Sequence, residues 1–172
     1  CTDGDCVEEV VVGLPGAGQL VFSEFMARSI SGGGDLGEWV ELTNVSDVPL
    51  DLQDCQLQDS VAGHTIAASV AVLPWQQVVL AASDDTTVNH GLEPDYVYQG
   101  IVLNNSDETL SLVCGGVLVD TVTYTSTWVV LGTSTQLSSD LLNAASNDES
   151  GSWCPSTASY GDGNSRGRQR TL

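Results

Sequence analysis

The stretch Thr109-Leu110-Ser111-Leu112-Val113-Cys114-Gly115-Gly116-Val117-Leu118-Val119-Asp120-Thr121-Val122-Thr123-Tyr124 decides the fold class. Apolar residues recur at alternate positions before a glycine pair, at Leu110, Leu112 and Cys114, and again toward the end of the run after it, at Val122 and Tyr124. That period belongs to a strand with one covered face. Two glycines between two such runs supply the positive φ that a primed hairpin turn needs, so 109–114 and 117–124 read as an antiparallel hairpin.

Working outward, similar short runs predict strands at 7–12, 19–26, 38–44, 50–57, 64–67 and 77–82. Between them lie the loop-like segments 31–35, 89–91 and 104–107, rich in Gly, Asn, Asp and Ser. No amphipathic helix of useful length is evident. Many short strands at this spacing predict an all-β, antiparallel β-sandwich of immunoglobulin type. From Gly132 onward Ser, Thr, Asn and Gly dominate. With only Leu137, Leu141, Leu142, Trp153 and Tyr160 as anchors, this segment is expected to wrap the sandwich as extended loop. The expected organisation is an N-terminal extension with an extra strand over 1–17, a sandwich over 18–163, and a basic tail over 164–172.

The charge is lopsided. The 172 residues carry 23 acids, four arginines and no lysine, a net charge of -19. Such a field repels phosphate backbones and anionic lipid, which argues against nucleic-acid and membrane-surface partners. No apolar run is long enough to span a bilayer, and no basic segment followed by an apolar one opens the chain, so any signal peptide is expected to have been removed. Arg166, Arg168 and Arg170 all follow the last acid, Asp162. A cationic tail on an anionic body is suited to dock on its own domain or on a second copy.

Cysteines stand at 1, 6, 55, 114 and 154, with no CxxC pair and with His64 and His90 far from them. This pattern predicts disulfides and an extracellular or cell-surface location rather than a zinc site. Cys114 with Cys154 is the expected bridge, because it would pin the long C-terminal segment. Cys6 with Cys55, or Cys1 with Cys6, come next. The fifth sulfur, Cys1 in this reading, is left for an intermolecular bridge or for lipidation.

The segment 38–42 alternates so that Glu38, Val40 and Leu42 share one face while Trp39 and Glu41 share the other. Alternation thus puts one carboxylate beside a tryptophan, and a buried carboxylate there needs hydrogen bonds or a cation. A structural carboxylate held by loop amides outweighs a metal ligand or catalytic acid. No catalytic residue is assigned: there is no Gly-x-Ser-x-Gly elbow, no phosphate-binding glycine loop, and no neighbourhood that makes either histidine a base. Oxygen-rich clusters at Asp3 and Asp5, Asp84 and Asp85, Asp148, and Asp162 are candidate calcium ligands, without the spacing of a twelve-residue calcium loop. Asn44 and Asn104 head glycosylation sequons.

Gly18-Gln19-Leu20-Val21-Phe22-Ser23-Glu24-Phe25 and Gly37-Glu38-Trp39-Val40-Glu41-Leu42-Thr43-Asn44 are followed in order by Leu50-Asp51-Leu52, Cys55-Gln56-Leu57-Gln58-Asp59, the run from Leu103 to Leu112, and Val119-Asp120-Thr121-Val122-Thr123-Tyr124. Together these motifs resemble the lamin tail domain family, from about Gly18 to Gly163. Cys55 stands where many members carry tryptophan, and Asn164-Ser165-Arg166-Gly167-Arg168 replaces the family's usual close. The resemblance implies an immunoglobulin-like sandwich, and for bacterial-type members a secreted or surface-exposed structural or binding module.

The expected function is a non-enzymatic extracellular structural or adhesive module. Val7, Val10, Val11 and Val12 form an apolar segment that could complete a neighbour's sheet and propagate a filament, aided by Arg166, Arg168 and Arg170. Expected partners are copies of the same chain and cell-surface polysaccharide. The competing expectation is a carbohydrate- or calcium-dependent targeting module of a larger secreted hydrolase.

Overall fold

The computed structural model describes residues 12–30 and 35–160, and the backbone of 165–166. Among the described residues fourteen strands run in chain order: β1 (Leu20–Met26), β2 (Trp39–Asn44), β3 (Leu50–Asp51), β4 (Gln56–Gln58), β5 (Gly63–Thr65), β6 (Ala71–Val72), β7 (Gln77–Ala81), β8 (Tyr96–Val97), β9 (Glu108–Cys114), β10 (Val117–Tyr124), β11 (Thr135–Leu137), β12 (Trp153–Pro155), β13 (Ser159–Tyr160) and β14 (Ser165–Arg166). The described residues contain three short 3-10 turns and no α-helix. A six-stranded sheet ordered β12-β11-β1-β2-β7-β8 faces a four-stranded sheet ordered β10-β9-β4-β5, and β3-β6 and β13-β14 form small pairs. This is the all-β immunoglobulin-like sandwich expected from the sequence.

The alternation in β9 places Leu110 and Leu112 in the interior, and in β10 a register shift between Leu118 and Asp120 lets Val119 join Val122 and Tyr124 there. Opposite them stand Leu20, Phe22, Phe25, Val40, Leu42 and Leu80 from the larger sheet. The outer face of that sheet is also covered. Met26, Trp39, Val79, Ala81 and Tyr160 form a second cluster, in which the Trp39 indole N–H donates to the Tyr160 hydroxyl at 3.1 Å. All six residues of β2 are therefore buried, both faces of its alternation included.

Two sequence expectations change in detail. The run 50–57 is broken by Asp54, whose φ of 64° turns the chain, so β3 joins a small pair while β4 enters the main sandwich. The segment after Gly132 does more than wrap: β11 pairs with β1 and β12 with β11, extending the larger sheet. At the other end of the chain, Gly13 pairs in parallel with Leu50 of the same chain. Val7, Val10 and Val11 lie outside the described residues, and Val12 is exposed.

The disulfide expectation is corrected. Cys114 bridges Cys55, not Cys154, with Cα atoms 4.2 Å apart. Gln56 of β4 lies opposite Val113 of β9, so the residues one step outward, Cys55 and Cys114, are brought face to face. Both are buried in the core. Cys154 lies on β12, at the far edge of the other sheet, as an exposed free thiol. Pairing of Cys55 with Cys6 is excluded by the same bridge, and Cys1 and Cys6 lie outside the described residues.

Candidate functional site

The turn after β10 and the two edge strands β11 and β12 enclose a cleft of about 210 Å³, lined by Thr127, Trp128, Thr135, Ser150, Trp153, Cys154 and Pro155. Its principal walls are the two indoles, half-buried, with centroids 5.8 Å apart and planes inclined by 34°. The backbone of one and the ring of the other are held from behind. The Thr135 hydroxyl donates to the Trp128 carbonyl at 2.6 Å, and the Trp153 indole N–H donates to the Asn147 carbonyl at 2.8 Å. Trp153 also lies 5.6 Å from Phe25, which stacks on Tyr124 at 4.5 Å. The platform is thus continuous with the core. Among the described residues no charged side chain lines the cleft.

A third tryptophan is presented differently. Trp75 is 64% exposed at a turn closed by the Gln76 N–H donating to the Leu73 carbonyl at 3.0 Å. Its φ is 63°, a left-handed conformation that costs an L-residue about 1–2 kcal/mol. Its own N–H donates to the Asn44 carbonyl at 2.9 Å.

The buried carboxylates serve the fold. Glu38 accepts the Leu103 N–H at 2.8 Å. Burial pushes its carboxyl up to about 8, against the opposing pull of that amide. Asp120 accepts from Phe22 N–H at 2.7 Å and from the Asn147 side-chain amide at 2.6 Å, and burial pushes it up to about 7. Glu108 accepts the Ser60 and Thr109 amides and the Asn104 side chain. The Ser23 hydroxyl donates to Glu41 at 2.6 Å, and the Ser134 hydroxyl to Glu24. Burial also raises the Tyr98 and Tyr124 hydroxyls well above the usual phenol range.

His64 is likewise engaged. Its Nδ1 accepts the Gln99 N–H at 3.2 Å, which makes Nε2 the protonated nitrogen of the neutral ring, donating to the Tyr96 hydroxyl at 2.9 Å.

The candidate calcium ligands do not converge. Asp85 is exposed and accepts from the Thr87 N–H and hydroxyl, while Asp84 and Asp148 are exposed on separate loops. Among the described residues no three His, Cys, Asp or Glu side chains form a metal-ligating group. Asp3, Asp5 and Asp162 lie outside the described residues.

One sequon is corrected. Asn44 is wholly buried: its amide nitrogen donates to the Val48 and Val72 carbonyls, and its oxygen accepts from Ser46. No nitrogen is left for a glycan. Asn104 is exposed, with its amide on Glu108. Arg166 falls in β14, paired with β13. Arg168 and Arg170 lie outside the described residues. Trp128 was not singled out by the sequence reasoning; an aromatic residue standing alone in a Thr- and Ser-rich turn is the signal that marks it.

The family model for the lamin tail domain matches residues 15–126, well over half of the chain. This chain belongs to the lamin tail domain family. The match covers β1 to β10, both sheets' central strands and the disulfide. Lamin tail domains are non-catalytic immunoglobulin-like domains. The tryptophan cleft straddles the boundary: Trp128 lies two residues past the match, and β11 and β12 lie wholly beyond it. Among curated proteins, no match to the chain is found.

Proposed function

We propose that this lamin tail domain is an extracellular, non-catalytic structural and adhesive module. The buried Cys55–Cys114 bridge carries the reading, because such bonds persist in oxidising compartments and are rare in the cytosol. The non-catalytic role is supported by the engagement of His64 with Tyr96 and Gln99, and by the loop amides and hydroxyls that occupy the buried carboxylates. To test location, native cells and their medium are alkylated before extraction and the cysteine peptides are mapped by mass spectrometry. The expected result is a bridged Cys55–Cys114 peptide in the external fraction. A chain held inside the cell with both thiols alkylated overturns the proposal.

Self-association is the form of adhesion we favour. Its support is the exposed Cys154 on β12, which among the described residues is an edge strand of the larger sheet, and the cationic arginines that follow an anionic body. Negative-stain imaging and sedimentation of the whole chain are expected to show oligomers. A strict monomer at high concentration favours instead the targeting module of a secreted hydrolase. Assembly that survives deletion of residues 1–12 excludes exchange of the N-terminal strand.

A further inference from the structure

We infer that the Trp128–Trp153 cleft is a binding subsite for one ring of a neutral glycan. The inference deepens the adhesive reading by assigning a ligand class and a place to it.

Three features of the cleft select that chemistry. First, its size: at about 210 Å³ it is smaller than the roughly 300–1,000 Å³ of pockets for drug-sized ligands, and suits one small ring. Second, its lining: two indoles line the space beside the hydroxyl-bearing Thr127 and Ser150, with Thr135 buried behind them. A pyranose has the complementary make-up, with an apolar C–H face for an aromatic plane and a rim of hydroxyls that exchange hydrogen bonds with side-chain hydroxyls and with the outer backbone edge of β12. Third, its charge: among the described residues the lining contains no ionisable group except the Cys154 thiol, and the chain as a whole is strongly acidic. Uronates, sialylated glycans and phosphates are therefore repelled, and a cation finds no carboxylate in the cleft.

The Trp153 indole is also preorganised. Asn147 fixes its ring against Phe25, and Thr135 fixes the Trp128 backbone. Little freedom of the Trp153 ring remains to be lost on binding. Trp75, exposed on a separate turn, is not part of the lining and serves as an internal control.

The test is native affinity electrophoresis of the full chain in gels containing dextran, laminarin, xylan or mannan, with polygalacturonate as the acidic counterpart. Indole fluorescence titration with oligosaccharides of any retarding polymer follows. At least one neutral polymer is expected to retard the chain. Trp128→Ala is expected to weaken binding at least about tenfold, the loss of one well-packed contact of about 1.4 kcal/mol. Trp128→Phe is expected to retain part of it and Trp75→Ala all of it. Circular dichroism of each variant shows that the fold is kept. Failure of every neutral polymer to retard the wild-type chain, equal retardation of Trp128→Ala, or preference for polygalacturonate overturns the inference. Thiol mapping and sedimentation separate the two levels: a bridged, exported, self-associating chain that ignores every polymer loses the subsite and keeps the adhesive role. An intracellular reduced chain that binds sugar does the reverse.

Discussion

The Asp120 carboxylate, on the four-stranded sheet, accepts the backbone N–H of Phe22, on the six-stranded sheet, at 2.7 Å. Both strands shift register here, β1 between Phe22 and Glu24 and β10 between Leu118 and Asp120. A bulge frees an amide from its ladder, and Asp120 supplies the missing acceptor while also holding Asn147. Asp120→Ala is expected to destabilise the domain by about 2–3 kcal/mol, because it strands two buried donors. Asp120→Asn, which keeps one acceptor, is expected to cost less. Urea denaturation of the two variants checks the order.

Stability is expected to fall as pH rises from about 4 to about 8. Glu38 and Asp120 hold their protons in the folded state up to about 8 and about 7, whereas in the unfolded chain they release them near pH 4. The folded state thus binds more protons across this window, and the slope of unfolding free energy with pH is negative. The Asp51 and Asp85 carboxyls, held low, act in the opposite sense, and only below about pH 4. Melting temperatures at pH 5 and pH 8 provide the measurement. Glu38→Gln is expected to flatten the decline, and an unchanged profile in that variant would assign the effect elsewhere.

The Cys55–Cys114 bridge closes a loop between residues 59 apart in sequence. Removing it by a double Cys→Ala change is expected to cost about 4 kcal/mol in the chain-entropy description. Cys154→Ser, at an exposed edge, is expected to be nearly neutral. In native protein a maleimide should label Cys154 and leave Cys55 and Cys114 untouched until reduction and unfolding.

Asn44 joins two turns through Val48, Val72 and Ser46. Asn44→Ala is expected to destabilise by about 2–4 kcal/mol, since several buried groups lose partners together. Folded protein secreted by a glycosylating host is expected to carry no glycan at Asn44, as peptide mapping would reveal.

Much of the sandwich was legible in the sequence because period two is a local signal. The strand expected at 117–124 is β10 to the residue, and 38–44 differs from β2 by one. Strands of two or three residues, such as β8, β11 and β12, are too short to display a period, so they passed as loop. The bridge was misassigned for a different reason: Cys55 meets Cys114 only because β4 pairs with β9, a long-range fact that cysteine spacing does not encode. The cleft is equally non-local. Trp128 and Trp153 stand 25 positions apart and meet only because the chain returns to the sheet edge.

Glu38, Glu108 and Asp120 are held by amide donors, neutral at every pH of interest. Arg28 is the sole basic side chain before residue 166, and it is exposed. Dissolved ions therefore have little interior attraction to weaken, while they relieve the mutual repulsion of the acidic surface. Brine should toughen this domain rather than loosen it, which would suit the proposed extracellular setting, where no cell controls the ionic strength.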